Sequence, residues 1–188
     1  MAAIDASANI RDFFQAQLSE ALSAQGVQTA DATRDYLVEL MAGFANGPLV
    51  ARLGFPLVTL LERALAVAGR EREARLRELG DTSLFLYGFL PDSFERRGLT
   101  AEYVETMGGR AYRAVVRVRG GGVFAELASR FREMGGVLDE VRERTSLRTD
   151  GELLRLYQRW LESGSDSLAR RLARRGVHPV PPSRGEIN

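Results

Sequence analysis

The sequence predicts an all-α protein, a compact single-domain bundle of seven to eight helices. Apolar residues recur at i, i+3, i+4 and i+7 through most of the chain, and no run alternates as a convincing strand would. Hydrophobic residues make up 45% and charged residues 27%, which is an ordinary globular mix. At 188 residues, the chain is long enough to bury a core.

The helical domain is expected to cover residues 1–176, and the Pro-rich residues 177–188 are expected to form an extended or disordered tail. The first residues lack the pattern of a signal peptide, and no stretch reaches the ~20 apolar residues that span a bilayer. We therefore expect a cytoplasmic protein that has no membrane contact.

The first two helices have clear predicted limits. Ser7 is a plausible N-cap of the first helix, and Gly26 suits its end. The second helix begins near Thr29 or Asp31 and ends at residues 46–48, which read Asn-Gly-Pro.

The next stretch is apolar on several faces, so we expect a helix in the centre of the bundle from about Pro56 to Ala68. The letters REREARLREL then predict an exposed helical turn or two. Gly80 suits a left-handed helix end, and Asp81 suits the N-cap of a buried helix that Pro91 ends. The alternative is that Asp81 is a buried functional carboxylate beside a tyrosine.

Glycines divide the second half of the chain. Thr100 begins a helix that ends at the flexible break of residues 120–122. A single apolar stripe follows over residues 124–141, and the glycine pair at 135–136 inside it allows a kink or a close helix crossing. Gly88 likewise suits the close approach of another helix. Asp150 is a predicted cap of a further helix, and SDSLARRLARR forms a short last one.

The last predicted helix carries an arginine cluster without an acid between Ser167 and His178. Four guanidinium groups could contact phosphates in a strong and salt-dependent way, which makes nucleic-acid binding one hypothesis. The alternative is a solvated amphipathic end helix with its arginine stems along the edge. The four residues are Arg170, Arg171, Arg174 and Arg175.

Several kinds of chemistry lack their residues. The chain has no cysteine, which excludes disulfides, thiolate zinc sites and iron–sulfur clusters, and its single histidine, His178, lies in the Pro-rich tail. Neither glycine cluster fits a nucleotide-binding motif, and no serine sits in a nucleophile elbow. We therefore expect no metal, no cofactor and no catalytic activity.

The charge is uneven along the chain. The net charge is +1, all basic residues are arginines, residues 1–94 carry 8 arginines and 12 acids, and residues 95–188 carry 18 arginines and 13 acids. This asymmetry can guide self-association or attract an acidic partner to the C-terminal half.

The central segment carries a motif, GDxxLFxxGxxP, in which Gly80, Asp81 and Gly88 are fixed positions. A tyrosine, Tyr103, and a second Gly-Ala-Tyr-like element that ends at Tyr112 follow it. This combination resembles an uncharacterised family of all-helical bacterial proteins for which no activity is known. The resemblance covers about a third of the chain and implies that Asp81 and Tyr112 meet in the fold, in a buried polar network or a pocket.

The sequence is therefore interpreted as a helical interaction or regulatory module that self-associates or binds a protein partner. Nucleic-acid binding through the last helix is one alternative, and a ligand pocket around Asp81 is the other. The candidate pocket residues are Asp81, Tyr87, Arg97, Arg110 and Tyr112.

Overall fold

The computed structural model describes residues 2–45, 56–145, 156, 159–160 and 165–173. The fold is all-α, as predicted, and these residues include no strand. The nine helices of the described residues are, in chain order, α1 (Ala2–Gln25), α2 (Asp31–Ala45), α3 (Leu57–Leu65), α4 (Gly69–Phe89), α5 (Pro91–Glu95), α6 (Ala101–Arg119), α7 (Val123–Ser129), α8 (Phe131–Arg144) and α9 (Asp166–Ala173).

Helix α4 lies at the centre of the described bundle. It packs most extensively against α6, and also against α3 and α8, while α1 packs against α2 and α8. Its C-terminal half is buried almost without interruption, with Leu84 fully inaccessible and Phe85 stacked between Phe44 and Phe89. The motif-bearing segment thus forms the core around which the other helices are arranged.

Helix α4 is continuous through the point where the sequence predicts a break. Gly80 is helical and buried, and Asp81 is an interior residue of the helix, so the predicted helix end and N-cap are both wrong. Gly80 serves packing instead of termination, because a Cβ atom there would lie 2.5 Å from Cε1 of Tyr112. The absent side chain leaves room for a ring from α6.

The helix predicted from about Pro56 to Ala68 is present, with Pro56 directly before its first residue, but its predicted central position is wrong. Helix α3 is shorter and packs mainly against α4, with Leu60 buried on that side and Leu65 59% exposed. Apolar residues on several faces of a helix indicate that other helices can pack against those faces. They do not indicate that a helix of this chain does so.

An arginine joins α3 to α4 across the tight turn between them. Arg72 donates hydrogen bonds from Nε to the carbonyl oxygen of Val67 at 2.7 Å and from Nη2 to that of Leu65 at 3.2 Å. These carbonyls lie at the end of α3, where the helix has no partners of its own for them. The charged stretch predicted as an exposed helical turn or two is the first half of α4. Its Arg72 binds the carbonyl groups at the end of α3.

Two glycines allow α4 and α8 to cross closely. A Cβ atom at Gly88 would lie 2.5 Å from Cβ of Leu138 and 2.9 Å from the carbonyl oxygen of Gly135. At Gly135, an added Cβ would overlap the ring of Tyr87. The predicted close approach is confirmed at Gly88 and at Gly135 of the glycine pair, whereas α8 stays helical through the pair.

Three predicted boundaries are confirmed. Gly26 ends α1 with a positive φ of 65°, which favours glycine. Thr100 caps α6 by accepting a hydrogen bond from the backbone N–H of Tyr103 at 3.1 Å. The break at residues 120–122 is present, with positive φ angles at Gly120 and Gly122.

Two other boundaries differ from the prediction. Helix α1 already begins at Ala2, so Ser7 lies within it and does not cap it. The stripe over residues 124–141 belongs to two helices, because Arg130 leaves the helical conformation with φ −119° and ψ 30°. Because α7 and α8 both pack against the same core, their apolar residues continue one stripe in the sequence. The stripe therefore gives no sign of the break at Arg130.

The predicted helix end at residues 46–48, the cap at Asp150 and the tail at 177–188 lie outside the described residues. Trp160, which the sequence assigns to the penultimate helix, is helical and 7% exposed. Among the helices that the structure describes, none combines the length and the apolar character that crossing a bilayer requires.

Candidate functional site

The most unusual polar group is the carboxylate of Asp81, halfway along the central helix. Tyr36 of α2 donates a hydrogen bond from its phenol to Oδ1 at 2.6 Å, and Tyr112 of α6 donates to the same oxygen at 2.8 Å. Nε of Arg77, one turn earlier in α4, lies 4.0 Å from Oδ2. One carboxylate therefore links three helices, and the meeting of Asp81 and Tyr112 implied by the resemblance is present.

Burial and the neighbouring charge keep both phenols protonated. Removal from water raises the pKa of Tyr36 far above its ordinary value, and the Asp81 carboxylate raises it further. The pKa of Tyr112, which is fully buried, is raised for the same two reasons in the same order. The two tyrosines are accordingly hydrogen-bond donors at any pH near neutrality, and they are poor acids.

Aromatic rings enclose the inner side of this cluster. The ring of Phe124 meets Tyr36 edge-on, with centroids 5.3 Å apart, and lies tilted against Tyr112 at 5.8 Å. Phe131 approaches Tyr112 from α8 at 6.2 Å. Tyr112 is fully buried behind these rings and Tyr36 is partly buried, and low access to water strengthens the hydrogen bonds to the carboxylate.

The other predicted pocket residues do not join Asp81. Tyr87 follows Asp81 by six residues, which places it on another face of α4, and its ring packs edge-on against Phe131 at 5.8 Å. Arg110 is exposed on α6 and precedes Tyr112 by two residues, so it points away from Tyr112. Arg97 is exposed in the turn after α5.

The Asp81 cluster is suited to fixing helix positions. Its carboxylate is 16% exposed, and Oδ1 already accepts two hydrogen bonds from the chain itself. A general base needs a free lone pair directed at a substrate, and a general acid needs a pKa near the working pH. The two phenols have strongly raised pKa values and are unsuited to the role of general acid. The hydrogen bonds to Oδ1 instead define how α2, α4 and α6 lie against one another.

A second carboxylate cluster was missed by the sequence analysis. Glu126 of α7 accepts hydrogen bonds from the hydroxyls of Thr29 at 2.8 Å and Thr33 at 2.7 Å, and from the backbone N–H of Ala30 at 3.3 Å. Nη1 of Arg130 donates to it at 2.7 Å. The side chain thus caps the first turn of α2 from a helix almost a hundred residues away.

Glu126 stays ionised in this setting. Burial opposes its charge, but the hydrogen bonds from Thr33, Thr29 and Ala30 and the charge of Arg130 together lower its pKa. The sequence offers a weak signal for this role, since two threonines one turn apart at a helix start can both face a carboxylate. Nothing in the sequence indicates which carboxylate that is.

The described part of the last helix, α9, is amphipathic as predicted. Leu168 and Leu172 are buried, and Arg170 and Arg171 are exposed. Arg174 and Arg175 lie outside the described residues. In the described parts of the chain, no group of three or more His, Cys, Asp or Glu residues is placed to hold a metal ion.

Comparisons with protein-family models, with curated proteins and with solved structures find no match to this chain. The resemblance to the bacterial family with the GDxxLFxxGxxP motif therefore stays a prediction.

Proposed function

We propose that this chain is a non-catalytic helical module that acts by binding protein, and that it self-associates through α3. The observation that carries the proposal is the apolar arc of α3, which is wider than the face that α4 covers. Leu57, Leu60 and Ala64 are buried, whereas Val58 is 48% and Leu65 59% exposed.

The exposed residues form a line along the helix. Val58, Leu61 and Leu65 follow i, i+3, i+7 spacing, which places them on one face next to the buried one. Leu61 is partly buried at the border of the two faces. Single exposed apolar residues such as Phe13 and Val118 are ordinary on a protein surface, but an ordered row on a helix is typical of a contact surface.

The row matches a second copy of itself. When two α3 helices pair antiparallel about a two-fold axis, Val58 of each copy faces Leu65 of the other, and the two Leu61 side chains meet at the axis. Antiparallel helix dipoles also attract each other. Because α3 has only 9 residues, we expect a weak dimer with a dissociation constant on the order of 10–100 µM.

The interior supports a scaffold role. The carboxylates of Asp81 and Glu126 would be the natural candidates for chemistry, and each is held by donors from the chain itself. These bonds join helices that are distant in sequence, so they fix the arrangement on which a contact surface depends.

The test is the solution mass as a function of protein concentration, measured by light scattering up to about 100 µM. We expect the parent to approach a dimer and Leu65→Glu to remain a monomer. Val118→Glu is the matched control, since Val118 is 58% exposed but stands on α6. A monomeric parent, or equal dissociation of both variants, would refute self-association through α3. Native mass spectrometry of the parent adds a further test, because a tightly held small-molecule adduct would favour the ligand-pocket alternative.

A further inference from the structure

Three arginines form a row along the outer face of α6. Arg110, Arg113 and Arg117 follow i, i+3, i+7 spacing and are all exposed. The buried residues of α6, among them Val104 and Val115, lie on the opposite side of the helix. The row, named here the α6 arginine row, spans about 10 Å along the helix axis.

The α6 arginine row is not neutralised within the part of the chain that the structure describes. None of its three members makes an ion pair there, and the one polar contact is a long hydrogen bond, 3.5 Å, from Nη1 of Arg113 to the carbonyl oxygen of Ala128. The sequence from residue 106 to residue 122 contains four arginines and no acid. Like charges at these spacings destabilise a helix, so the row has a cost for the isolated protein.

Helix α8 shows the opposite arrangement. Arg132 pairs with Glu105 at 2.8 Å, and Arg144 pairs with Glu140 at 2.7 Å and with Glu20 at 3.1 Å. Arg142 pairs with Asp139. This protein thus matches arginines with acids on one helix and leaves them unmatched on another, which marks the α6 arginine row as a surface for an acidic partner.

We infer that the α6 arginine row docks an acidic helical segment of a protein partner. Guanidinium groups bind carboxylates in a planar, often bidentate geometry, and acids at i, i+3 or i+4, and i+7 of a helix match the row. The inference rests on the proposed function, because it names a surface and a partner chemistry for a protein-binding module.

A nucleic acid fits this surface less well. Affinity for a nucleic acid grows with the number of phosphates that the protein neutralises, and the row offers three charges. The surface groove beside the row, about 610 Å³ in volume, is lined by two glutamates and three arginines: Glu105, Glu133, Arg113, Arg130 and Arg132. Arg132 and Arg130 pair with these two carboxylates, so the groove adds no unpaired basic group to Arg113 for a longer phosphate backbone. A short acidic helix needs only the three arginines of the row.

The experiment measures fluorescence anisotropy of a labelled alanine-based helical peptide with glutamates at i, i+3 and i+7. The parent is compared with Arg113→Ala/Arg117→Ala and with Arg170→Ala/Arg171→Ala. Arg170 and Arg171 are exposed on α9, so the control changes the net charge equally. We expect the first variant to weaken binding about tenfold or more and the control to change it less than about twofold at low salt.

Three results would overturn the inference. One is equal weakening by both variants, another is equal binding of a peptide with glutamine in place of glutamate, and the third is no binding by the parent. A DNA oligonucleotide that binds more tightly than the peptide, and in a row-dependent way, would replace the acidic helix with a nucleic acid. Light scattering on the same samples separates this failure from that of self-association, because Arg113→Ala/Arg117→Ala leaves α3 intact.

Discussion

Asp81 and Glu126 are two carboxylates with the same shielding and different surroundings. Their side chains are 16% and 17% exposed, and each accepts hydrogen bonds from two side-chain hydroxyls that are distant in sequence. The donors to Asp81 are two phenols that lie against aromatic rings. One of them, the phenol of Tyr112, is fully buried. The donors to Glu126 include the exposed backbone of Ala30 and an arginine.

From this difference we expect that the exposed fraction of an acid does not by itself predict how much the acid contributes to the free energy of unfolding. What matters is where its donors are left when the acid is removed. Water can reach the groups around Glu126 at the start of α2, apart from Thr33, which is 1% exposed. No water can reach the phenol of Tyr112 without a rearrangement of the core, so a buried donor would remain unsatisfied.

Alanine substitution of the two acids tests this comparison most directly. We expect Asp81→Ala to lower the free energy of unfolding by about 4 kcal/mol, since two hydrogen bonds to a charged acceptor are lost and the fully buried donor of Tyr112 is left unsatisfied. Glu126→Ala should cost about 1–2 kcal/mol. Urea unfolding at neutral pH measures both values, with equal m-values as the check on comparability. Equal losses would show that the location of the donors does not matter.

High pH separates the two clusters next. Because the pKa values of Tyr36 and Tyr112 are raised in the fold, the unfolded chain releases these protons first. Stability is full below pH about 10 and falls above it by about 1.4 kcal/mol per pH unit for each tyrosine. Tyr36→Phe and Tyr112→Phe should each reduce the slope of stability against pH by about 1.4 kcal/mol per pH unit. Glu126→Gln is the control and should leave the slope unchanged, and an unchanged slope in both phenylalanine variants would contradict the prediction.

A single methyl group probes the fit of Tyr112 beside Asp81. Gly80→Ala places a Cβ 2.5 Å from the Tyr112 ring, so the ring must move away from the carboxylate. We expect a loss of about 2 kcal/mol in spite of the better helix propensity of alanine. Gly109→Ala is the matched control, because its Cβ would meet nothing closer than 3.7 Å, and it should stabilise by up to about 1 kcal/mol. Thermal unfolding compares them, and similar midpoints for both variants would show that the ring is not constrained.

Low pH provides the mildest test, and it addresses Glu126. Its pKa is lowered in the fold, so its contribution is full above the unfolded value of about 4.3 and is lost as the pH falls through the folded value. The stability difference between the parent and Glu126→Gln should be about 1 kcal/mol at pH 7, should begin to shrink near the unfolded value and should vanish only once the pH lies below the lowered folded pKa. Glu95→Gln, at an exposed position of α5, is the control. A difference that is independent of pH would mean that the charge of Glu126 contributes nothing.

The sequence was informative where a rule acts locally. The cap at Thr100, the positive φ at Gly26 and the glycine break at 120–122 follow from the conformations that these residues prefer, and all three were predicted. The close packing at Gly88 was predictable too, because an apolar helix interrupted by glycine favours the approach of a neighbour.

The sequence-based prediction was wrong where the same residues are compatible with two local structures. Gly80-Asp81 reads as a helix end followed by a cap, and it is the interior of a helix because the ring of Tyr112 fills the space at Gly80 and two phenols satisfy Asp81. The site was predictable only as a pair, Asp81 with Tyr112. The contribution of Tyr36 and the whole Glu126 cluster required three-dimensional contacts.

By itself, the sequence determined the helical class and the boundaries at Gly26, Thr100 and residues 120–122, because periodicity and capping depend on residues within one or two turns. Only the tertiary structure decided which helix is central, which carboxylate holds which helices, and which apolar face stays exposed. Those outcomes depend on contacts between residues 31 to 97 positions apart, such as Tyr112 with Asp81 and Thr29 with Glu126. A periodic pattern shows that a face can be buried, and only the assembled fold shows what covers it.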